Sequence, residues 1–203
     1  PAAGLFFVHA LEHAAGMAHA IRVHQPGGPE VLEYVDVDTP TPKAGEILVR
    51  VEAIGVNFVD AYNRSGLYKQ PLPFTSGSEA AGVVEKSGDG VSDWKKGDRV
   101  AFARQPGAYA EYVVVPARAP VPLPDGIDAR TAAAAMLQGM TAHYLATSAH
   151  RIREGETVLV HAAAGGVGAL LVQLAKTAGA RVFGTASTAH LDVARHAGCG
   201  VVI

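Results

Sequence analysis

Small residues crowd one stretch of the chain, Ala162-Ala163-Ala164-Gly165-Gly166-Val167-Gly168, which lies between an apolar run and an amphipathic run. Small side chains let the backbone approach a ligand closely. A helix that begins here would present its unpaired N–H groups and the positive end of its dipole to phosphates. Gly168 would also allow close packing of helix on strand. The spacing is A-x-x-G-x-x-G rather than G-x-G-x-x-G, and it predicts a dinucleotide-binding turn; a tight turn that binds nothing is the alternative.

The residues after the next apolar run bear on which dinucleotide is bound. A site for NAD usually has Asp or Glu about 20 residues beyond the glycines, at the end of the second strand, to hold the ribose hydroxyls. Here that strand is followed by Thr185-Ala186-Ser187-Thr188, which contains no acid. Hydroxyls of Ser187 and Thr188 could donate to a 2′-phosphate, which favours NADP. Alternatively these residues only turn the chain, with Thr188 as the N-cap of the next helix.

Hydrophobic periodicity predicts the strands and helices that position this turn. Strands at 157–162, 181–184 and 201–203 alternate with helices at 165–179 and 188–197. This β-α-β-α-β order predicts the first half of a doubly wound parallel sheet.

The preceding part of the chain has a different pattern. Short strands such as 47–54 and 110–115, punctuated by glycine turns, predict a small β-barrel, interrupted by one helix from Asn57 to Arg64. Four prolines in 116–124 predict an extended connector, and a helix follows over 128–149 with Asp128 as its N-cap. The expected organisation is therefore an extension over residues 1–16, a barrel domain over 17–124 and a nucleotide-binding domain over 125–203.

Composition excludes several classes of protein. The 203 residues are 49% hydrophobic and 18% charged, unlike a disordered chain. The net charge is −2 and there is no basic block, so nucleic-acid binding is not expected. No apolar run approaches the roughly 20 residues of a membrane span. The single cysteine, Cys199, excludes an internal disulfide and fits a reducing compartment, so we expect a cytoplasmic protein.

One short pattern suggests a metal site near the start of the chain. His9, Glu12 and His13 match H-x-x-E-H, in which two histidines one helical turn apart can bind zinc. The pattern falls in the alanine-rich extension, without a scaffold around it. We therefore interpret it as a chance match.

Several motifs, in order along the chain, carry a family resemblance. Residues 17–203 resemble the zinc-independent, zeta-crystallin-like quinone oxidoreductases of the medium-chain dehydrogenase/reductase superfamily. The resemblance implies a GroES-like barrel, a Rossmann domain, NADPH as cofactor and hydride transfer to a quinone or another conjugated carbonyl. The segments that carry it are 27–32, Ile54-Gly55-Val56-Asn57-Phe58-Val59-Asp60-Ala61-Tyr62, 64–68, Gly77-Ser78-Glu79-Ala80-Ala81-Gly82, 97–100 and 161–168.

The resemblance also implies roles for individual residues. Asn57, Asp60 and Tyr62 would lie near the nicotinamide and the substrate as catalytic residues. The expected cofactor-binding residues are Asn57, Thr141, Tyr144, Gly165, Gly166, Val167, Gly168 and Ser187, with Thr141 and Tyr144 beside the nicotinamide and Ser187 on the 2′-phosphate. Structural alternatives exist: Asn57 as a helix cap, Asp60 paired with Arg64, and both tyrosines as packing residues.

At two places this sequence differs from the residues found in related proteins. By motif position, the zinc ligands of metal-dependent relatives fall on Asn57, Ser78 and Gln138. Amide and hydroxyl groups are poor zinc ligands, so no metal is expected. The lysine that commonly reaches the 2′-phosphate falls on Leu191; His190 or Arg195 could replace it.

Two other functions remain open at this stage. One is an enoyl or enone reductase, which needs a proton donor for the carbon product, for which Tyr62 is the candidate. The other is a non-catalytic nucleotide-binding protein. Relatives continue beyond residue 203, so we expect a fragment, incomplete alone, with an exposed apolar sheet edge, and a homodimer only for the full-length form.

Overall fold

The computed structural model describes residues 16–203. The His9–Glu12–His13 pattern and nearly all of the predicted extension lie outside these residues. The described chain divides into two compact units, one ending at Met136 and one comprising Leu137–Ile203. No helix within residues 16–203 has the length and apolar character needed to cross a membrane.

The first unit is built around a five-stranded antiparallel sheet. Its strands are β3 (Glu46–Ile54), β5 (Glu79–Ser87), β6 (Arg99–Ala103), β7 (Tyr112–Pro116) and β8 (Val121–Pro122), in the order β7-β3-β5-β6-β8. Alternate residues of β7 are buried, with Val113 and Val115 in the core beside Phe102 and Ile47. This alternation is what a sheet with one covered face requires. The strands predicted at 47–54 and 110–115 are confirmed, with small shifts of their ends.

A second, three-stranded sheet completes this unit. Strand β1 (Met17–Val23) lies between β2 (Glu33–Asp38) and β4 (Phe74–Thr75), and a single bridge from Ala20 to Ala110 links it to the chain just before β7. A short 3-10 turn, Pro29–Val31, separates β1 from β2. The two sheets thus give the β-rich architecture predicted for this part of the chain.

The proline-rich segment includes extended backbone as predicted, but it is more than a connector. Val121 and Pro122 form β8, which pairs antiparallel with Ala101 and Val100 of β6. Proline is tolerated because β8 is the edge strand of the sheet, where one side of the strand needs no backbone donor. The segment therefore belongs to the sheet.

Helix α2 (Ala129–Tyr144) follows and continues into a wider π-helical turn, Leu145–Ala149. Asp128 caps it as predicted, since its Oδ1 accepts a bond of 2.7 Å from the Thr131 amide. The sequence placed the domain boundary at residue 124, whereas the units divide inside α2, after Met136. The reason is packing: Ala132 and Ala133 are buried with alanines of the first unit's sheet (Ala53, Ala81 and Ala101).

The second unit contains a parallel three-stranded sheet. Strands β9 (Thr157–Val160), β10 (Arg181–Gly184) and β11 (Val201–Val202) lie in the order β11-β10-β9. Helix α3 (Gly166–Thr177) connects the first two strands, and a 3-10 turn (Thr188–His190) with α4 (Leu191–Ala197) connects the last two. Its core residues are Val160, Val172, Ala175, Val182, Ala194 and Cys199. The predicted β-α-β-α-β order is confirmed.

Candidate nucleotide and substrate site

The glycine turn leaves the start of α3 open to a ligand. Gly165 precedes the helix in an extended conformation and makes no side-chain cap bond to it. The first bond into the helix runs from the Ala169 amide to the Gly165 carbonyl, at 2.8 Å. The N–H groups of the first turn therefore point away from the helix without helical partners, as anion binding requires.

Two backbone features keep this turn tight. Ala162 has a φ of +51°, which is unusual for a residue with a side chain, and its carbonyl accepts the Gly165 amide at 2.8 Å. A Cβ atom at Gly168 would clash with that same carbonyl oxygen and with Ala163. Gly168 therefore lies in close contact with the backbone that precedes the helix, as its predicted packing role requires.

Gln138 is a neighbour of the turn that sequence reasoning did not assign to it. A Cβ atom at Gly166 would occupy the space of the Gln138 carboxamide, so this side chain lies directly on the backbone of the turn. The absence of a side chain at Gly166 is the signal for such an approach. No sequence signal, however, identifies which residue fills the space.

A second group of polar side chains lies where β10 ends. Thr185 Oγ1 lies 3.2 Å from His161 Nδ1 and accepts a bond of 3.3 Å from the Ala162 amide, which ties this end to the end of β9. Ser187 is exposed, and its Oγ lies 2.8 Å from His190 Nδ1. The interpretation of Thr188 as the N-cap is wrong, because Ser187 occupies the cap position and Thr188 is the first residue of the turn.

Two predicted cofactor residues lie on α2. Thr141 Oγ1 donates a bond of 2.8 Å to the Leu137 carbonyl one turn earlier, so its oxygen is left as an acceptor. Tyr144 is 60% exposed at the end of the helix. Both are exposed, so a packing role is not evident for Tyr144.

In the first unit, Asn57 precedes helix α1 (Phe58–Ser65). Its amide nitrogen Nδ2 donates a bond of 2.7 Å to Glu79 Oε2, and its backbone N–H donates to Asp60 Oδ2 at 2.9 Å. An ionised carboxylate can only accept hydrogen bonds, so the Nδ2 side of the amide faces Glu79 and Oδ1 is turned away from it. Asn57 is thus both the residue at the helix start and an oriented amide.

Asp60 is buried, with 5% of its surface exposed. Besides the Asn57 amide, it accepts a bond of 2.9 Å from Ser78 Oγ and one of 3.0 Å from the Tyr109 hydroxyl. Burial and the nearby Asp60 carboxylate raise the pKa of Tyr109 far above its usual range, so the phenol stays a donor. The alternative pairing with Arg64 is not seen: Arg64 Nε donates to the Gly27 carbonyl.

Tyr62 belongs to an exposed aromatic group on and after α1. It is 39% exposed, and its ring lies 6.4 Å from Phe58 and 5.5 Å, edge on, from Tyr68. Phe58 is 82% exposed. Apolar rings exposed together mark a surface suited to planar ligands. Sequence reasoning named Tyr62 and missed the part played by Phe58.

The three positions at which metal-dependent relatives bind zinc hold groups with other partners. Asn57 donates to Glu79, Ser78 donates to Asp60, and Gln138 lies on Gly166. Within residues 16–203, no group of three or more His, Cys, Asp and Glu side chains is arranged to hold a metal ion. Glu79 and Tyr109 are the site residues that sequence reasoning missed.

Comparisons with known proteins agree with this fold. Residues 43–125 match the alcohol dehydrogenase GroES-like domain. The chain is 51% identical over 174 residues to a quinone oxidoreductase of Pseudomonas aeruginosa, covering 85% of this chain and 54% of the relative. The structure of Escherichia coli quinone oxidoreductase in complex with NADPH superposes with a TM-score of 0.89 at 44% identity, over 92% of this chain and 58% of that one. A 2-haloacrylate reductase of a Burkholderia species is 41% identical over 192 residues, covering 90% and 57%.

The fold defines a class of protein: a GroES-like unit followed by a Rossmann-type parallel sheet with a glycine turn, as in the medium-chain dehydrogenase/reductases. Within that superfamily, the chain is a homologue of the zinc-independent quinone oxidoreductases. It spans about half the length of the curated relatives that it matches.

Proposed function

We propose that the protein is an NADPH-dependent quinone reductase. The observation that carries the proposal is the uncapped glycine turn at the start of α3, in a chain 51% identical to a quinone oxidoreductase. The turn fits a diphosphate, because it combines unpaired amides with a backbone that only small residues permit. When bound, NADPH supplies a hydride to the conjugated carbonyl substrate without a metal.

The second unit would bind the cofactor through its backbone and a few side chains. The amides of Gly166, Val167 and Gly168 would hold the diphosphate, with Gly165 permitting close approach. Ser187 would bind the 2′-phosphate at the end of β10. Thr141, whose hydroxyl proton is engaged with Leu137, would act as an acceptor toward the nicotinamide carboxamide, and Tyr144 would lie against that end.

The first unit would orient the substrate. Asn57 is the group proposed to touch the reactants, because its bond to Glu79 fixes the orientation of its amide. Asp60 would act through other residues: it is buried and accepts three hydrogen bonds, so it holds the start of α1 in place and is a positioning residue. Tyr62 and its aromatic neighbours supply flat apolar surface for a quinone ring.

The test measures NADPH oxidation with 1,4-benzoquinone by the protein at the full length of its relatives, because this chain spans about half of that length. We expect turnover that persists in the presence of a metal chelator, because the ligand positions hold Asn57, Ser78 and Gln138. The Asn57→Ala variant should lose about tenfold or more in kcat/KM, the cost of removing one positioned hydrogen-bonding group. Absence of NADPH oxidation with any quinone would contradict the proposal.

A second function, reduction of an activated carbon–carbon double bond, is favoured by one relative and one residue. The Burkholderia relative is a 2-haloacrylate reductase, and Tyr62 offers an exposed hydroxyl as proton donor. Such a reaction needs a proton on carbon, whereas a quinone accepts protons on oxygen. Tyr62→Phe should therefore abolish reduction of an enone while sparing quinone reduction, and equal losses on both substrates would exclude this role.

The proposal also includes the cellular location and the oligomeric state of the protein. We place the protein in the cytoplasm, since its single cysteine is a free, buried thiol. We propose a homodimer for the protein when it carries the full length of its relatives. Analytical ultracentrifugation of that form is the measurement, and a monomer at micromolar concentration would contradict it.

A further inference from the structure

We propose that Arg104 is a substrate-specificity residue and that it selects quinones and other conjugated carbonyl compounds that carry an anionic group, such as a carboxylate or a sulfonate. The inference rests on the proposed function and deepens it, because it names the chemical class of the preferred substrate. Arg104 follows β6 in the first unit, in the short loop that leads toward β7.

The backbone of Arg104 has an unusual conformation. Its φ is +61°, in the left-handed region that glycine adopts readily and that residues with a Cβ atom avoid. The other residue of this loop with a positive φ is Gly107, at +90°. Left-handed residues other than glycine are costly, and they cluster at active sites and ligand clamps. An arginine at a position that suits glycine therefore points to a function for its side chain.

The loop lies against the segment at the start of β5. The Gln105 amide donates a bond of 3.3 Å to the Ser78 carbonyl. In the ladder of β5 with β6, Ala103 lies opposite Glu79. The backbone of Arg104 is therefore placed beside Ser78 and Glu79.

The same segment organises the site of the first unit. Ser78 Oγ donates to Asp60, and Glu79 accepts a bond from Asn57 Nδ2, the group proposed to touch the reactants. A substrate that contacts Asn57 would therefore lie at the end of the sheet where Arg104 follows β6. The long side chain of an arginine there can reach a group at the edge of such a substrate.

The guanidinium of Arg104 is available to a ligand. The residue is exposed, and within residues 16–203 no ion pair or hydrogen bond engages its side chain. A guanidinium presents two parallel N–H groups that match the two oxygens of a carboxylate, and it keeps its positive charge throughout the physiological pH range. An anionic substrate would gain a charge-assisted contact from Arg104, whereas an uncharged quinone would not.

The experiment compares kcat/KM for 1,4-naphthoquinone-2-sulfonate with kcat/KM for 1,4-naphthoquinone, at saturating NADPH, in the protein at the full length of its relatives. The two quinones share a ring system, and only one carries the anionic group. In Arg104→Gln the ratio of sulfonate to uncharged quinone should fall about fivefold relative to the parent, the usual size of an exposed charge contact. The sulfonate also changes the reactivity of the quinone, but this change cancels when variants are compared. Arg104→Lys keeps the positive charge and should retain most of the ratio.

Salt and a control variant distinguish a charge contact from a change in the loop. Raising the ionic strength from about 0.01 M to about 1 M shortens the Debye length from about 30 Å to about 3 Å, so the ratio should fall in the parent and stay level in Arg104→Gln. Arg118→Gln is the matched control. Arg118 is exposed after β7, beside the start of β3, whereas Asn57 follows the end of β3, so this variant should keep the parent's ratio.

A purely structural role for the side chain is tested by Arg104→Gly. Glycine adopts the left-handed conformation without strain, so the midpoint of thermal unfolding should equal or exceed that of the parent. The substrate ratio should fall as it does in Arg104→Gln. A lower midpoint would show that the arginine side chain supports the loop, and it would overturn the inference.

The remaining outcomes are distinct. An unchanged ratio in Arg104→Gln, or an equal fall in Arg118→Gln, would overturn the inference while quinone reduction stands. A higher KM for NADPH in Arg104→Gln without a change in the ratio would mean that Arg104 contacts the cofactor, which also overturns it. If the parent oxidises NADPH with neither quinone, the proposed function itself fails, and the inference fails with it.

Discussion

Asp60 shows how a single buried carboxylate organises the structure around the start of α1. It accepts bonds from the Asn57 amide, Ser78 and Tyr109, which are donors from three separate parts of the chain. Three donors on one buried side chain hold it, and the groups bonded to it, in one arrangement. Asp60 therefore fixes the position of Asn57 and of the start of α1.

Replacement of Asp60 by asparagine should be costly although the shapes match. One oxygen becomes an NH2 group, which can be matched only if it faces Ser78, whose hydroxyl can turn to accept, and the remaining oxygen is then a neutral acceptor. We expect the free energy of unfolding to fall by about 2–3 kcal/mol, because three hydrogen bonds to a charged acceptor are replaced by weaker neutral ones. Urea unfolding measures it. Ser78→Ala, which removes one donor and leaves two, should cost about 1 kcal/mol; equal losses in both variants would contradict this account.

Tyr109 gives a prediction in alkali. Its pKa is raised in the folded protein by burial and by Asp60. In the unfolded chain a phenol ionises near pH 10. The folded state then holds a proton that the unfolded state loses, so the contribution is complete below about pH 10 and is lost as pH rises further. Tyr109→Phe should show a shallower alkaline loss of stability in pH-dependent unfolding; an unchanged slope would contradict the assignment.

At the scale of single elements, the β9–α3 turn is the most constrained part of the second unit. Gly168→Ala should displace the helix start, since the new Cβ meets the backbone of Ala162 and Ala163, which cannot move aside as a side chain could. We expect a loss of about 2–3 kcal/mol in unfolding free energy, typical of overpacking, together with weaker 5′-AMP binding.

Gly139→Ala is the matched control for that substitution. Gly139 lies inside α2, and its added Cβ would reach only Leu170, at an ordinary contact distance of 4.0 Å. Alanine in a helix interior is favoured over glycine by about 0.5–1 kcal/mol, so this variant should be as stable as the parent or more so. A similar loss in both variants would show that the turn is not specially crowded.

The cap at the start of α2 should make the stability of the protein depend on pH in the acid range. The bonds from Thr131 lower the pKa of Asp128. A lowered folded-state pKa means that the contribution is present above about pH 4, the unfolded value, and is lost as pH falls through the folded value. Asp128→Asn caps the helix without titrating, so its stability should fall less between about pH 5 and 2. Circular dichroism during acid titration compares the two, and superimposable curves would contradict the cap's role.

At the scale of the whole molecule, sequence reasoning predicted features that depend on neighbouring residues and did not predict contacts between residues far apart in the sequence. The glycine turn, the Asp128 cap and the alternating strands and helices of the second unit depend on neighbouring residues, and all three were predicted. Ser78 and Tyr109 lie 18 and 49 positions from Asp60, and nothing in their local pattern indicates that they meet it. The pairing of β8 with β6 was missed because proline usually opposes a strand, and only its place at the sheet edge permits it.

Each unit has its own buried core, one around Phe102 and Ile47 and the other around Val172 and Val182. If the nucleotide binds within the second unit, binding energy should stabilise that unit selectively. At about 100 times Kd, a ligand adds about 2.7 kcal/mol to the state that binds it, which slows exchange through full opening of that state roughly a hundredfold. We therefore expect 2′,5′-ADP to slow hydrogen exchange in β9, α3 and β10 and to leave β3 and β5 unchanged. Mass spectrometry of the exchanged peptides tests this, with adenosine, which lacks both phosphates, as the control ligand. Equal slowing in β3 and β10 would mean that the two cores open as one cooperative unit, and no slowing in α3 would mean that its first turn does not hold the phosphate.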